Sequence, residues 1–333
     1  MSAAARLTVI PGLDPSHYQR SPLHGEGCAW PEKNCYVDLF VGLVHALSLE
    51  PRAMLASTLS VDFEGDQWTF YKPQHAEMRA LFGVDVQEMN CWRPLIDHSR
   101  EHLAAGRLIA VESDAFWLPD TVGTDYRQQH VKTTIMLNDL DEATQRLGYF
   151  HNAGYHQMEG EDFRRTFRLD AEPDPTYLPL YAELVRIDHA LALAPEALAL
   201  RAKALTRQYL AWAPQDNPIQ RFAQRFALEL PVMHERGLPY YHAWAFGTVR
   251  QLGSAFELAA AHLAWLDEVE GQAGRLQVAV DAFQLISQSC KALILKLARA
   301  VNGKRQLDAQ EIFGPMALAW ADGMACARTA LAA

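Results

Sequence analysis

Cys35 lies in the stretch Trp30-Pro31-Glu32-Lys33-Asn34-Cys35-Tyr36-Val37-Asp38. Pro31 and Asn34 are helix-start signals, and Asn34 is a good N-cap, so the spacing places Cys35 in a first helical turn. There the unpaired backbone N–H groups and the positive end of the helix dipole favour a thiolate. The same N–H groups can hold the oxyanion formed when a thiolate attacks a carbonyl. The competing account is a small buried hydrophobe, since free cysteine is among the most buried residue types. A nucleophilic cysteine needs a base, and the base needs an orienting group. His130 begins a stretch in which Val131, Thr133, Ile135 and Leu137 alternate with Lys132, Thr134 and Met136, which is strand periodicity. Polar residues Asn138 to Thr144 follow, and Arg146 to Asn152 reads as the returning strand. Such a hairpin sets His130 beside His151 or Asn152, but not both on one face, because adjacent strand residues point oppositely.

Other side chains offer weaker chemistry. Asp62, Glu64 and Asp66 precede Gln67-Trp68 and could hold the ammonium of an aminoacyl group or a metal; a solvated acidic loop looks the same. Asp114, before Phe116-Trp117-Leu118-Pro119, is a cleft-lining candidate, whereas Trp117 and Trp92 also fit as core aromatics. His24, His151 and His156 with Cys28 match no zinc spacing, so no metal is expected. Lys291, Lys296, Arg299, Lys304 and Arg305 cluster near the end of one helical segment. They could dock an acidic partner, or simply answer the helix dipole.

The elements that must position these residues can be read from periodicity. Residues 35–49 read as a helix that is apolar almost all round, hence buried. Residues 107–112 read as a strand, followed by the hairpin. A helix and then a mostly antiparallel sheet make the first half α+β. Alanine rises from 16 residues in 1–173 to 34 in 174–333. The second half reads as helices at 177–211, 218–234, 241–268, 272–301 and 308–331, broken at glycine and proline. Apolar residues from Leu276 to Val301 recur at steps of three or four, one buried face of an amphipathic helix. The expectation is an all-α helical bundle at 174–333 behind a catalytic domain at 1–173, with Asp170 to Pro175 as linker.

Composition bounds the rest. The chain has 333 residues, half of them hydrophobic and 21% charged, enough to bury a core. A net charge of -10 argues against a duplex-coating nucleic-acid binder. Five sparse cysteines, Cys28, Cys35, Cys91, Cys290 and Cys326, argue against a disulfide scaffold and for a reducing compartment. No signal-peptide pattern opens the chain, and the apolar runs look too short to span a bilayer. The expectation is a soluble cytoplasmic protein without membrane or nucleic-acid partners.

The order of a helix-start Cys, a strand-start His and a polar residue ending the next strand resembles papain-like cysteine enzymes. A closer resemblance is to the family called domain of unknown function 1839. It is carried by Pro22-Leu23-His24-Gly25, Asn34-Cys35-Tyr36-Val37-Asp38 and Val61-Asp62-Phe63-Glu64-Gly65-Asp66-Gln67-Trp68. Asn90, Trp92-Arg93-Pro94-Leu95, Asp114, Leu118-Pro119-Asp120-Thr121, His130-Val131-Lys132-Thr133-Thr134 and Gly148 to Tyr155 continue it. Asp114 to Pro119, His130 and the hairpin are also similar, more distantly, to the N-terminal domain of the butirosin biosynthesis protein H family. That family resembles cysteine peptidases but moves an aminoacyl group from a carrier-protein thioester to an amine. The resemblance implies Cys35 as nucleophile, His130 as general base and acid, and Asn152 as the group orienting it. It further implies an acyl or aminoacyl carrier protein as partner, an amine acceptor, and no cofactor beyond phosphopantetheine on the partner. Papain-like peptidases carry a Gln several residues before the Cys, and none lies between Gln19 and Cys35. Asn34, Trp30 and His24 are the substitute oxyanion donors. Two alternatives stand beside transfer. One is a cysteine hydrolase of the same fold; the other is a non-catalytic binding protein with a papain-like shell.

Overall fold

The computed structural model describes residues 6–172, 176–272 and 274–332. Contacts divide the chain into two compact units. The first comprises Met1–Pro22, Cys35–Glu50 and Gln74–Ala192; the second comprises Leu23–Asn34, Pro51–Pro73 and Leu193–Ala333. The division expected at 173–174 falls on residues outside those described, as does part of the expected linker. After that position the chain still contributes a strand to the sheet of the first unit.

In the first unit, β1 (Leu7–Thr8), β4 (Asp85–Glu88), β5 (Arg107–Asp114), β6 (Lys132–Asp141), β7 (Arg146–His151), β8 (Gly154–Glu159) and β9 (Ala182–Arg186) form one antiparallel sheet. The order is β4-β9-β5-β6-β7-β8, with β1 pairing to the far end of β6. The helices are α1 (Cys35–Ala46), α2 (His75–Phe82), α3 (Leu95–Ala104) and α4 (Gly160–Thr166). The α+β class holds.

The two faces of this sheet follow from strand alternation. Ile109, Val111, Ile135, Leu137, Leu147 and Tyr149 form one core with Ile96 and Leu103 of α3 and Phe163 and Phe167 beside α4. The intervening residues face α1: a Cβ at Gly42 would lie 3.4 Å from the Phe150 ring, and Phe150 pairs with Met136. α1 lacks a polar side, its nine residues from Tyr36 to Val44 all being buried, as its all-round hydrophobicity predicts.

Strand β6 runs four residues into the polar stretch expected as a turn, because those side chains find partners. Asn138 is buried; its Oδ1 accepts from the Ile10 amide at 2.7 Å and its Nδ2 donates to Tyr155 Oη at 3.1 Å. Asp139 is held by Arg6 and by the Thr8 hydroxyl at 3.0 Å. With these polar groups satisfied the strand is buried without an unmet hydrogen bond, and the turn falls at residues 142–145.

The second unit holds the short hairpin β2 (Phe63–Glu64) and β3 (Gln67–Trp68), with helices α5 (Pro195–Trp212), α6 (Pro218–Gly247), α7 (Val249–Val269), α8 (Gln277–Asn302) and α9 (Ala309–Leu331). The helix expected over 177–211 is corrected. Residues 182–186 are β9, paired antiparallel to both β4 and β5, and α5 starts only at Pro195, a proline suited to the first turn. Ala-Glu-Leu-Val-Arg is too short to reveal its period, and its pairing is long-range. The expected break at Gly237 is present as a kink with φ 76 inside α6. The next interruption falls at Thr248 rather than before residue 241. Among the described residues α8 alone is long and apolar enough to cross a membrane by length and composition. Its apolar stripe, including Phe283, Ile286, Cys290 and Leu297, is buried in this unit.

Candidate functional site

The N-terminus of α1 puts Cys35 in a first helical turn, over the face of the sheet that carries Glu112, Asp114, Lys132 and Thr134. These four share a face because Glu112 pairs with Thr134 and Asp114 with Lys132. Cys35 is partly exposed and its Sγ meets Thr134 Oγ1 at 3.9 Å. Lys132 Nζ donates to Glu112 at 2.9 Å.

His130 precedes β6 at the same end. Its Nδ1 lies 2.6 Å from Asp114 Oδ2, and since a carboxylate only accepts, Nδ1 carries the proton. The imidazole also stacks on Phe116, ring centroids 4.4 Å apart and planes 16° from parallel. Its side chain is 69% exposed, and among the described residues its Nε2 meets no hydrogen-bond partner. An oriented imidazole with a free Nε2 is suited to moving protons. No hydrogen bond joins Cys35 and His130: the Cys35 sulfur rests on Thr134, four positions along the chain from His130, whose ring contacts are Asp114 and Phe116.

The orienting residue differs from expectation. Register Met136↔Phe150 runs β7 out at His151, so His130, six residues before Met136, has no hairpin neighbour. Its neighbour is β5, on the other side, and Asp114 rather than Asn152 is the group in contact with it. Asn152 occupies the β7–β8 turn with φ 46, a left-handed position that asparagine tolerates. The Asp114 signal was present in the sequence, two residues before Phe116, but without the β5–β6 register it read only as cleft lining.

His151 faces the opposite side of the sheet, where it is 1% exposed. Its Nδ1 lies 2.5 Å from Asp120 Oδ2 and its Nε2 2.8 Å from the Thr133 hydroxyl. Tyr149 donates to the other Asp120 oxygen at 2.5 Å, and His156 Nε2 is 3.8 Å from Asp120. Burial would raise the Asp120 carboxyl, but the His151 hydrogen bond and the nearby imidazoles outweigh it, leaving it below the usual range. Burial lowers the His156 imidazole. Sequence reasoning missed Asp120, although its block Leu118-Pro119-Asp120-Thr121 was visible.

A third polar group forms around Tyr36, the residue after Cys35. Buried Glu183 of β9 accepts from Tyr36 Oη at 2.9 Å and Tyr181 Oη at 2.7 Å, and His75 Nε2 is 3.0 Å away. Burial and then Glu183 push the Tyr36 hydroxyl far up. Glu183 lay inside the expected helix and was not singled out.

The remaining candidates disperse. Trp30, Asn34 and His24 belong to the second unit. There Trp30 Nε1 donates to Ser287 at 3.1 Å, Asn34 Nδ2 donates to the Tyr71 carbonyl at 3.2 Å, and His24 is buried. Asp62 is paired with Arg221 in that unit, Glu64 and Asp66 are exposed, and Trp68 packs against Phe63 and Phe222. Trp92 is 79% exposed, and Trp117 lies under the Arg127 guanidinium at 4.4 Å. Lys296, Arg299, Lys304 and Arg305 are exposed around the end of α8, while Lys291 sits 4.7 Å over the Trp30 ring. Among the described residues no group of three or more His, Cys, Asp or Glu side chains is arranged to hold a metal ion.

The DUF1839 N-terminal domain matches residues 19–187, and the DUF1839 C-terminal domain matches residues 195–329. The chain belongs to the DUF1839 family. The two matches meet in the stretch between β9 and α5, so this DUF1839 protein keeps its last sheet strand within the N-terminal match. No curated protein matches the chain.

Proposed function

We propose that this DUF1839 protein is a cysteine-dependent acyl or aminoacyl transferase with a papain-like site. Cys35 is its nucleophile, His130 its acid and base, and Asp114 the group that orients His130. The observation that carries the reading is the 2.6 Å Asp114–His130 pair, solvent-facing and stacked on Phe116, at the end of the sheet face on which the helix-start Cys35 rests.

The chemistry balances. The Cys35 sulfur attacks a thioester carbonyl, forming an S–C bond as the carrier's C–S bond breaks. His130 takes the Cys35 thiol proton and gives it to the departing phosphopantetheine thiolate. An amine then attacks the acyl-enzyme, forming a C–N bond as the Cys35 S–C bond breaks, and His130 passes the amine's proton to the departing Cys35 sulfur. An acidic carrier protein is the proposed donor, and the exposed cations near the end of α8 are its proposed docking patch. The five free thiols suit a reducing cytoplasm. The imidazole must reach the sulfur for this to work, so donor binding must draw the 129–132 stretch toward Cys35.

The test is incubation with an aminoacylated carrier protein and intact-protein mass spectrometry. The expected result is an acyl adduct on wild type that is absent in Cys35→Ala. Absence of any adduct, with equal thioester turnover in both proteins, overturns the reading. The gap between Cys35 and His130 favours a second reading, a binding protein that keeps the shell without the reaction. Retained carrier binding with no turnover would establish it.

A further inference from the structure

A pocket of ≈ 370 Å³ opens in the first unit on the side away from Cys35. Its walls include Cys91, Trp92, Leu95, Phe167, Tyr177 and Leu180. Cys91, Leu95 and Leu180 pack against the core that Ile135, Leu137 and Tyr149 build on the α3 and α4 face, the face opposite α1. The pocket is therefore separate from the Cys35 site, and no role is yet attached to it.

Its volume falls in the range of small-molecule sites, and its lining is mostly apolar and aromatic with a few polar groups at the rim. Burial raises the Cys91 thiol, consistent with an apolar wall. The aromatic groups are not tucked away: Trp92 is 79% and Tyr177 38% exposed, a poor state for large apolar rings unless something covers them.

The rim charges select the ligand. Three charged side chains border the pocket: Glu172, and two arginines that each lie over an aromatic ring and supply its hydrogen-bond donors. Arg93 lies 5.2 Å from the Trp92 ring and is neutralised by Glu101. Arg168, at a left-handed position with φ 56, lies 3.7 Å over the Tyr177 ring. Among the described residues Arg168 has no carboxylate partner, so its guanidinium donors remain available at the mouth. An apolar cleft with one uncommitted guanidinium at its edge fits an apolar body with a single anionic head.

We propose that this pocket binds a small amphipathic carboxylic acid, with Trp92 and Tyr177 against its apolar body and Arg168 on its carboxylate. The experiment is isothermal titration calorimetry on the full chain with octanoate and 4-phenylbutyrate, beside octanol and octylamine. Expected are saturable one-site binding of the acids and at least tenfold weaker binding in Arg168→Glu. In Trp92→Ala, affinity falls and the blue shift in tryptophan emission on binding disappears. Cys35→Ala should bind as wild type does, which keeps this site's outcome separate from that of the transfer reaction. No saturable binding of either acid, equal binding of octanol, or affinities unchanged in both pocket variants would overturn the proposal.

Discussion

Two histidine–aspartate pairs sit on opposite faces of one sheet. His130–Asp114 and His151–Asp120 share the same contact, Nδ1 to a carboxylate oxygen, at 2.6 and 2.5 Å. Their surroundings are opposite. The first pair is 69% and 37% exposed, the second 1% and 7%. Among the described residues the exposed imidazole's Nε2 meets no partner, whereas the buried one spends Nε2 on Thr133. Asp120 also serves Tyr149, so the second pair fastens the 115–131 connection onto β7 and β8. That connection begins beside Asp114 and ends at His130. The contrast separates a pair suited to chemistry from a pair suited to holding it in place.

The largest effect expected from breaking the contrast is on rate. His130→Ala should lower acyl-transfer turnover by roughly 10²–10⁴-fold, the usual worth of a positioned acid–base, with the urea midpoint nearly unmoved. A variant that keeps wild-type turnover would remove His130 from the reaction.

Asp120→Ala should act the other way, on stability first. It leaves His151 and Tyr149 buried without their acceptor, a loss of roughly 3–5 kcal/mol, measured by urea unfolding. A cost under about 1 kcal/mol would mean that water replaces the carboxylate and that the pair is no anchor. Since Asp120 is held below its ordinary range, its contribution is full above that range. It is lost as pH falls through the lowered value.

The second unit offers a sharper pH test of burial. His262 is fully buried, and its Nδ1 donates to the Arg52 carbonyl at 2.7 Å. Burial pulls its imidazole from 6.5 down to about 4. The unfolded chain then takes up a proton in a range where the native chain does not. Stability from this residue is full above about pH 6.5 and falls as pH drops toward 4. The expected loss is roughly 2 kcal/mol between pH 8 and pH 5. Comparing wild type with His262→Gln at both pH values isolates it, and equal slopes would refute it.

The smallest effect belongs to the exposed face. Lys132→Ala removes an ion pair to Glu112 whose lysine is 67% exposed, and should cost about 0–1 kcal/mol by thermal melt. A larger loss would show that the Cys35 face is drier than its exposures indicate.

Much of this arrangement was legible along the chain. Asn34 before an apolar run located the start of α1 and set Cys35 in its first turn, because helix starts are written in local residue types. Alternation from Val131 located β6, and Gly237 located the kink, since a left-handed backbone position calls for glycine. The hairpin of β6 and β7 was also legible and forms; what failed was the register at its open end and the partner on the other side. Asn152 was a poor partner for His130 because β6 pairs with β5 at that end, and no local signal in β6 names its neighbour. β9 looked helical because five residues carry too little period, and its strand state comes from two long-range ladders. By itself the sequence determined helix starts, breaks and the alternation that sorts residues to faces, all properties of near neighbours. Only the tertiary structure decided that Asp114 holds His130, that Asp120 locks His151 out of solvent, and that Glu183 lies beneath Tyr36. Each of these contacts joins residues 16 to 147 positions apart, and nothing shorter than the whole sheet brings them together.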